Sequence, residues 1–110
     1  MYRLPGNDTI CAISTPPGLG AISVIRLSGP AAIDISKKIF HPRDKDLDIS
    51  RVPSHTVHFG TIGDATGLLD EVLLSIFRAP HSYTGEDVTE ISCHGSPYIQ
   101  QKLIELLLEQ

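Results

Sequence analysis

The chain has no tryptophan, one methionine and only two cysteines. So few thiols exclude a disulfide framework. Cys11 and Cys93 each lie inside an apolar run, which fits free thiols in a reducing compartment. Residues 1–10 hold no apolar h-region, so no secretory signal is read there. Uninterrupted apolar runs last only a few residues, far short of the ~20 that span a bilayer. No Gly-Lys-Ser or Gly-Lys-Thr triplet occurs, which excludes a Walker A loop from this segment. Positive charge is scarce as well: nine Lys and Arg face thirteen Asp and Glu, a net −4. The loose basic group Lys37, Lys38, Arg43, Lys45 and Arg51 is interleaved with Asp44, Asp46 and Asp48. A large nucleic-acid footprint needs a clustered basic surface, so any grip on RNA must come from elsewhere. These absences point to a cytoplasmic protein without membrane contact.

What is present suits one ordinary globular domain. Of 110 residues, 41% are hydrophobic and 20% charged, enough to exclude disorder. A chain of this length buries roughly 65% of the surface its unfolded form exposes. Residues 8–15 and 20–28, rich in Ile, Val and Thr, read as strands joined by a turn at Pro16-Pro17-Gly18-Leu19-Gly20. Pro30 is placed for the first position of a helix over 30–40, whose stripe is Ala32, Ile35 and Ile39, widened by Ile33 and Phe40. Residues 41–53 read as a loop. Residues 54–62 and 70–77 read as a hairpin turning at 63–67. A loop over 78–86 precedes a strand at 87–94. Ser96 and Pro97 then supply an N-cap and first residue for a helix bearing Ile99, Leu103 and Leu106. The order β-β-α-β-β-β-α, with hairpins dominating, predicts an α+β fold with a mixed sheet. The last helix is still apolar at Gln110, so a piece of a longer protein is expected.

Several residue groups invite chemistry. Gly18-Leu19-Gly20 lacks the third glycine of a dinucleotide loop, since position 23 is Ser23, and a β-branched strand follows where a helix is needed. A turn is the better reading. Cys93 and His94 are neighbours on a strand and point to opposite faces, as would His55 and His58 in a strand, so neither pair is a site. No zinc-ligand spacing occurs, and no catalytic or metal-ligating residue is assigned. Arg26 shares a strand face with Ile22 and Val24, and neither face of that strand reads as plainly solvated. A half-buried guanidinium needs an anion or several carbonyls. It is either a structural ion pair or a snorkelling strand end, or else a clamp for an anionic or polar ligand. Glu90 sits in the polar row Val88, Glu90, Ser92 and His94, which either lines a cleft or faces solvent. The opposite face, Thr89, Ile91 and Cys93, turns to the core.

Five collinear segments carry a resemblance: Asp8-Thr9-Ile10; Thr15-Pro16-Pro17-Gly18; Ile25-Arg26-Leu27-Ser28-Gly29-Pro30; Ala79 to Asp87 with its Ser-Tyr-Thr-Gly-Glu-Asp stretch; and Cys93-His94-Gly95. Over about residues 7–108 the chain resembles the start of the bacterial tRNA-modification GTPases of the MnmE (TrmE) family. The resemblance implies one N-terminal folate-binding and dimerisation domain over residues 1–110, with the helical and G domains lying beyond. It implies a fold like half of a folate-binding aminomethyltransferase, and a homodimer formed by exchange of first strands. The implied cofactor is 5-formyltetrahydrofolate or a related tetrahydrofolate, with GTP, Mg and K confined to the G domain. The implied partners are tRNA and the flavoprotein MnmG (GidA), the reaction being carboxymethylaminomethyl modification of the wobble uridine with folate as one-carbon source. The family's folate-contacting arginine corresponds to Arg26 and its glutamate to Glu90. The resemblance implies that the two converge on a pocket sized for a pterin. Leu19 stands where the family often has arginine, and Ser96 where it often has glycine.

Overall fold

In a computed structural model, residues 1–4, 8–15 and 20–110 are described. The elements are β1 (Tyr2–Arg3), β2 (Ile10–Ile13), β3 (Ile22–Ser28), α1 (Ala32–Ile39), β4 (Phe40–Pro42), β5 (Thr56–Asp64), β6 (Gly67–Phe77), β7 (Val88–His94) and α2 (Pro97–Leu108). They form one seven-stranded sheet in the order β1-β2-β3-β7-β6-β5-β4, with both helices packed on one face. The α+β class stands. The expected mixed sheet does not, because every neighbouring pair is antiparallel. Helix α1 carries the chain from β3 to β4 in the same direction, which looks like a parallel unit. Three strands lie between those two, so no parallel ladder forms.

Two short strands were absent from the sequence-based order. A two-residue strand such as β1 shows no periodicity to read. Phe40, expected to extend the stripe of α1, instead leaves the helix with extended backbone at φ −98 and ψ 130, and is buried at the sheet edge. Pro42 ends β4, where an edge strand tolerates a missing N–H. Helix α1 begins at Ala32 rather than Pro30. Its entry is fixed by Thr9, whose Oγ1 accepts the N–H of Ala31 at 2.9 Å. Ser96 and Pro97 occupy their expected places at the start of α2, although the Ser96 hydroxyl makes no capping bond. The hairpin is tighter than expected: β5 runs to Asp64 and β6 starts at Gly67, leaving Ala65 and Thr66 as the turn. Of the turn expected over 16–20, residues 16–19 lie outside the described residues.

Alternation decides the faces. Ser23, Ile25 and Leu27 on β3, Thr89, Ile91 and Cys93 on β7, and Val72, Leu74 and Ile76 on β6 are all buried. They meet Ile35 and Ile39 of α1 and Leu103, Ile104 and Leu107 of α2. Burying one such aliphatic side chain contributes about 1.5–3 kcal/mol. Two hydroxyl contacts cross this core. Ser36 on α1 and Thr89 on β7 are 2.8 Å apart, and the Gln100 amide on α2 donates to Ser23 on β3. Each satisfies a polar group that would otherwise be costly to bury. Among the described residues no helix is long and apolar enough to cross a membrane.

The loop over 43–53 closes the core with Ile49 and Val52. Asp48 holds it: Oδ1 accepts the Ser50 N–H at 3.0 Å and hydroxyl at 2.6 Å, and pairs with Lys37 Nζ at 3.1 Å. The Ser50 hydroxyl above all holds this carboxyl down at about 2, from 3.8. A carboxyl whose folded value is depressed stabilises the fold above its unfolded value and loses that contribution as pH falls through the folded one. Thermal melts should therefore show Asp48→Asn losing its deficit relative to the parent between about pH 4 and pH 2. A pH-independent difference would contradict this.

Candidate functional site

The second face of the sheet carries neither helix. Across it run Ile22, Val24, Arg26 and Ser28 from β3, Glu90, Ser92 and His94 from β7, Leu73 and Ser75 from β6, and Val57 and Phe59 from β5, by strand alternation and register. Ile22, Val57, Phe59 and Leu73 are exposed there. Four large apolar side chains on one open face form a contiguous patch of the kind that marks a binding surface.

Arg26 and Glu90 are direct cross-strand partners. Arg26 Nε and Nη2 both donate to Glu90 Oε2, at 2.8 and 2.6 Å, with the side chains 33% and 23% exposed. The two sequence-selected residues therefore meet, and they meet each other first. Among the described residues, Glu90 Oε1 and Arg26 Nη1 take no further bond, so the pair keeps a free carboxylate oxygen and a free guanidinium nitrogen. A groove on the same face begins one pleat away, at Ser92. It has a volume of about 310 Å³ and is lined mainly by Ile22, Phe59, Leu73, Ser92 and His94.

The 78–87 loop leans over the same pair. The Arg26 guanidinium lies 5.3 Å from the centre of the Tyr83 ring, a cation–π contact at an otherwise exposed tyrosine. The Thr84 and Ser28 hydroxyls are 2.7 Å apart. The loop is fastened by Ala79 N–H to Asp87 Oδ1 at 2.8 Å, by Gly29 N–H to the Asp87 carbonyl at 2.9 Å, and by the Ser82 hydroxyl to the Glu86 carbonyl. The Ser-Tyr-Thr-Gly-Glu-Asp stretch thus serves the Arg26–Glu90 end of the open face.

Cys93 is buried on the core side while His94 is exposed on the other, as strand alternation requires. Burial pushes the Cys93 thiol up to about 11, with Asp70 adding to the rise, and burial does the same for Cys11. Both thiols are free and protonated at neutral pH, which makes them poor nucleophiles. His55 corrects an expectation. It precedes β5 with φ 64 and meets the Phe77 ring edge-on at 5.2 Å, so the opposite-face rule for a strand does not govern it. His58 is on β5, 2.8 Å from the Thr56 hydroxyl. Among the described residues no group of three or more His, Cys, Asp or Glu is placed to hold a metal ion. Sequence reading missed the role of Tyr83 and the pairing of Asp70 with His94. Partners 57 and 24 positions apart leave no local signal.

Residues 9–110 match a family model described as the N-terminus of the GTP-binding protein TrmE. The chain is 53% identical over 104 residues to a tRNA modification GTPase MnmE from Christiangramia forsetii, covering 94% of this chain and 22% of that protein. It is 55% identical over 104 residues to the corresponding protein of Flavobacterium psychrophilum, covering 94% and 22%. With that of Carboxydothermus hydrogenoformans it shares 55% over 106 residues, covering 94% and 23%. The chain therefore spans about a fifth of the length of these curated relatives.

Proposed function

Because the chain belongs to the family of TrmE N-terminal domains, we propose that it is the tetrahydrofolate-binding, dimer-forming part of a cytoplasmic tRNA-modification GTPase. The observation that carries this reading is the Arg26–Glu90 pair, half-exposed beside an apolar sheet face and roofed by Tyr83. Its donor set suits the cofactor. The free Oε1 of Glu90 accepts N–H groups from the amino-pteridine edge, and the free Nη1 of Arg26 donates to a carbonyl or carboxylate oxygen. The flat patch of Ile22, Phe59 and Leu73 suits an aromatic ring laid against the sheet. Bound tetrahydrofolate would supply a one-carbon unit; Arg26 and Glu90 would orient it, with Tyr83 shielding the guanidinium from water.

The exposed apolar face also supports pairing with a second copy, in the manner of the two halves of an aminomethyltransferase. On this reading GTP with Mg and K, tRNA and MnmG engage other parts of a longer protein. A specific observation favours one other reading. Arg26 and Glu90 already bond each other through Oε2, which is what a purely structural dimerisation module would show.

Calorimetry with 5-formyltetrahydrofolate, alongside light scattering, separates the two. The expected result is a particle of twice the 12.0 kDa chain with saturable binding, weakened at least about tenfold by Glu90→Gln, since a hydrogen bond to a charged group is worth about 1.5–3 kcal/mol. A dimeric sample that gives no binding heat would leave the structural module. A single-chain mass at micromolar concentration would refute dimerisation.

A further inference from the structure

Beyond Arg26 and Glu90, a second polar pair stands at the end of β7, where Asp70 of β6, in register with core-facing Ile62, meets His94 of the open face. Asp70 Oδ2 accepts the backbone N–H of His94 at 2.8 Å, and Oδ1 lies 2.7 Å from the ring Nδ1. The Asp70 side chain is 11% exposed and that of His94 is 72% exposed. A carboxylate only accepts, so it fixes hydrogen on Nδ1 and leaves the Nε2 lone pair directed away from the pair. A strap across the strand ends would need only the backbone bond; the ring bond adds orientation.

The imidazole borders the groove formed by Ile22, Phe59, Leu73 and Ser92. It stands two pleats along β7 from Glu90, roughly 13 Å at the usual strand rise. The charged groups next to it from β6 are Asp70, bonded to the ring, and Glu71, which lines the same groove. The adjoining strand β3 contributes uncharged Ile22, and β5 contributes Phe59, whose ring lies 5.5 Å beneath the Arg43 guanidinium. An apolar floor, a serine hydroxyl and an oriented ring acceptor recognise a flat heterocycle or aniline bearing N–H.

We propose that His94 is a second binding residue of the tetrahydrofolate site, accepting a ligand N–H at Nε2, and that Asp70 is the positioning residue that sets its tautomer. This rests on the reading above, with Glu90 holding one end of the ligand and His94 a second N–H further along the same strand. Asp70→Asn tests it, because an amide keeps the backbone contact through its oxygen while its NH₂ turns Nδ1 into an acceptor. His94→Phe keeps the ring shape and removes the acceptor.

The measurements are ¹⁵N spectra of the His94 ring at alkaline pH and calorimetry with 5-formyltetrahydrofolate. The expected spectrum places hydrogen on Nδ1 in the parent and on Nε2 in Asp70→Asn, and both variants bind at least tenfold more weakly at unchanged melting temperature. Hydrogen on Nε2 in the parent would overturn the proposal. Parent binding with undiminished binding by both variants would overturn it alone, leaving the Arg26–Glu90 site intact. A parent that binds nothing would remove the folate reading and this inference together.

Discussion

Replacing Gly29 by alanine is expected to cost about 3 kcal/mol and to lower the melting temperature by roughly 10 °C or more. Gly29 has φ +142, a region L side chains rarely adopt. A Cβ there would stand 2.6 Å from Thr9 Cα and 2.7 Å from its hydroxyl. Thr9 has no room to retreat, since it is fully buried and accepts the N–H that opens α1. Gly29 also donates to the Asp87 carbonyl, so the shift would propagate into the loop that carries Tyr83. The substitution should therefore weaken the proposed folate binding along with the fold. A melting curve within about 2 °C of the parent would show that this junction yields easily.

Arg78→Ala has the next largest expected effect, about 2 kcal/mol. The Arg78 guanidinium gathers backbone carbonyls of the covering loop: Nε and Nη2 donate to Val52 at 2.9 and 2.7 Å, and Nη2 also reaches Ser50 at 3.1 Å and Ile49 at 3.4 Å. Ile49 and Val52 are buried, so the loop cannot lift without exposing core. Lysine offers no planar fork and should recover little of the loss. Limited trypsin digestion gives the sharper readout: cleavage after Arg43, Lys45 or Arg51 should precede global unfolding in the variant and not in the parent. Equal cleavage and equal melting temperatures would contradict the clamp.

Arg78 also shows why part of the molecule was hidden in the sequence. Its partners lie 26 to 29 positions upstream in a stretch read only as loop, and backbone carbonyls carry no residue signature. Arg26 and Glu90 were visible for the opposite reason. Arg26 puts a charge on a face it shares with Ile22 and Val24, and Glu90 opens a polar row on its strand; the family resemblance singled out both. That they sit in one ladder pair, with Tyr83 above them, depended on how β3 and β7 align. Asp70 was invisible because its value lies in a backbone N–H on another strand.

Composition and local pattern by themselves determined the α+β class, the five main strands, both helices and the inward face of β7, but left the inward face of β3 open. These follow from side-chain periodicity and backbone preferences that act over a few residues. Only the tertiary structure decided the antiparallel sheet order, the two short edge strands, the contact between Arg26 and Glu90, and the orienting of His94 by Asp70. Those depend on which strands become neighbours, and long-range pairing is fixed by burial of the whole core rather than by any one segment.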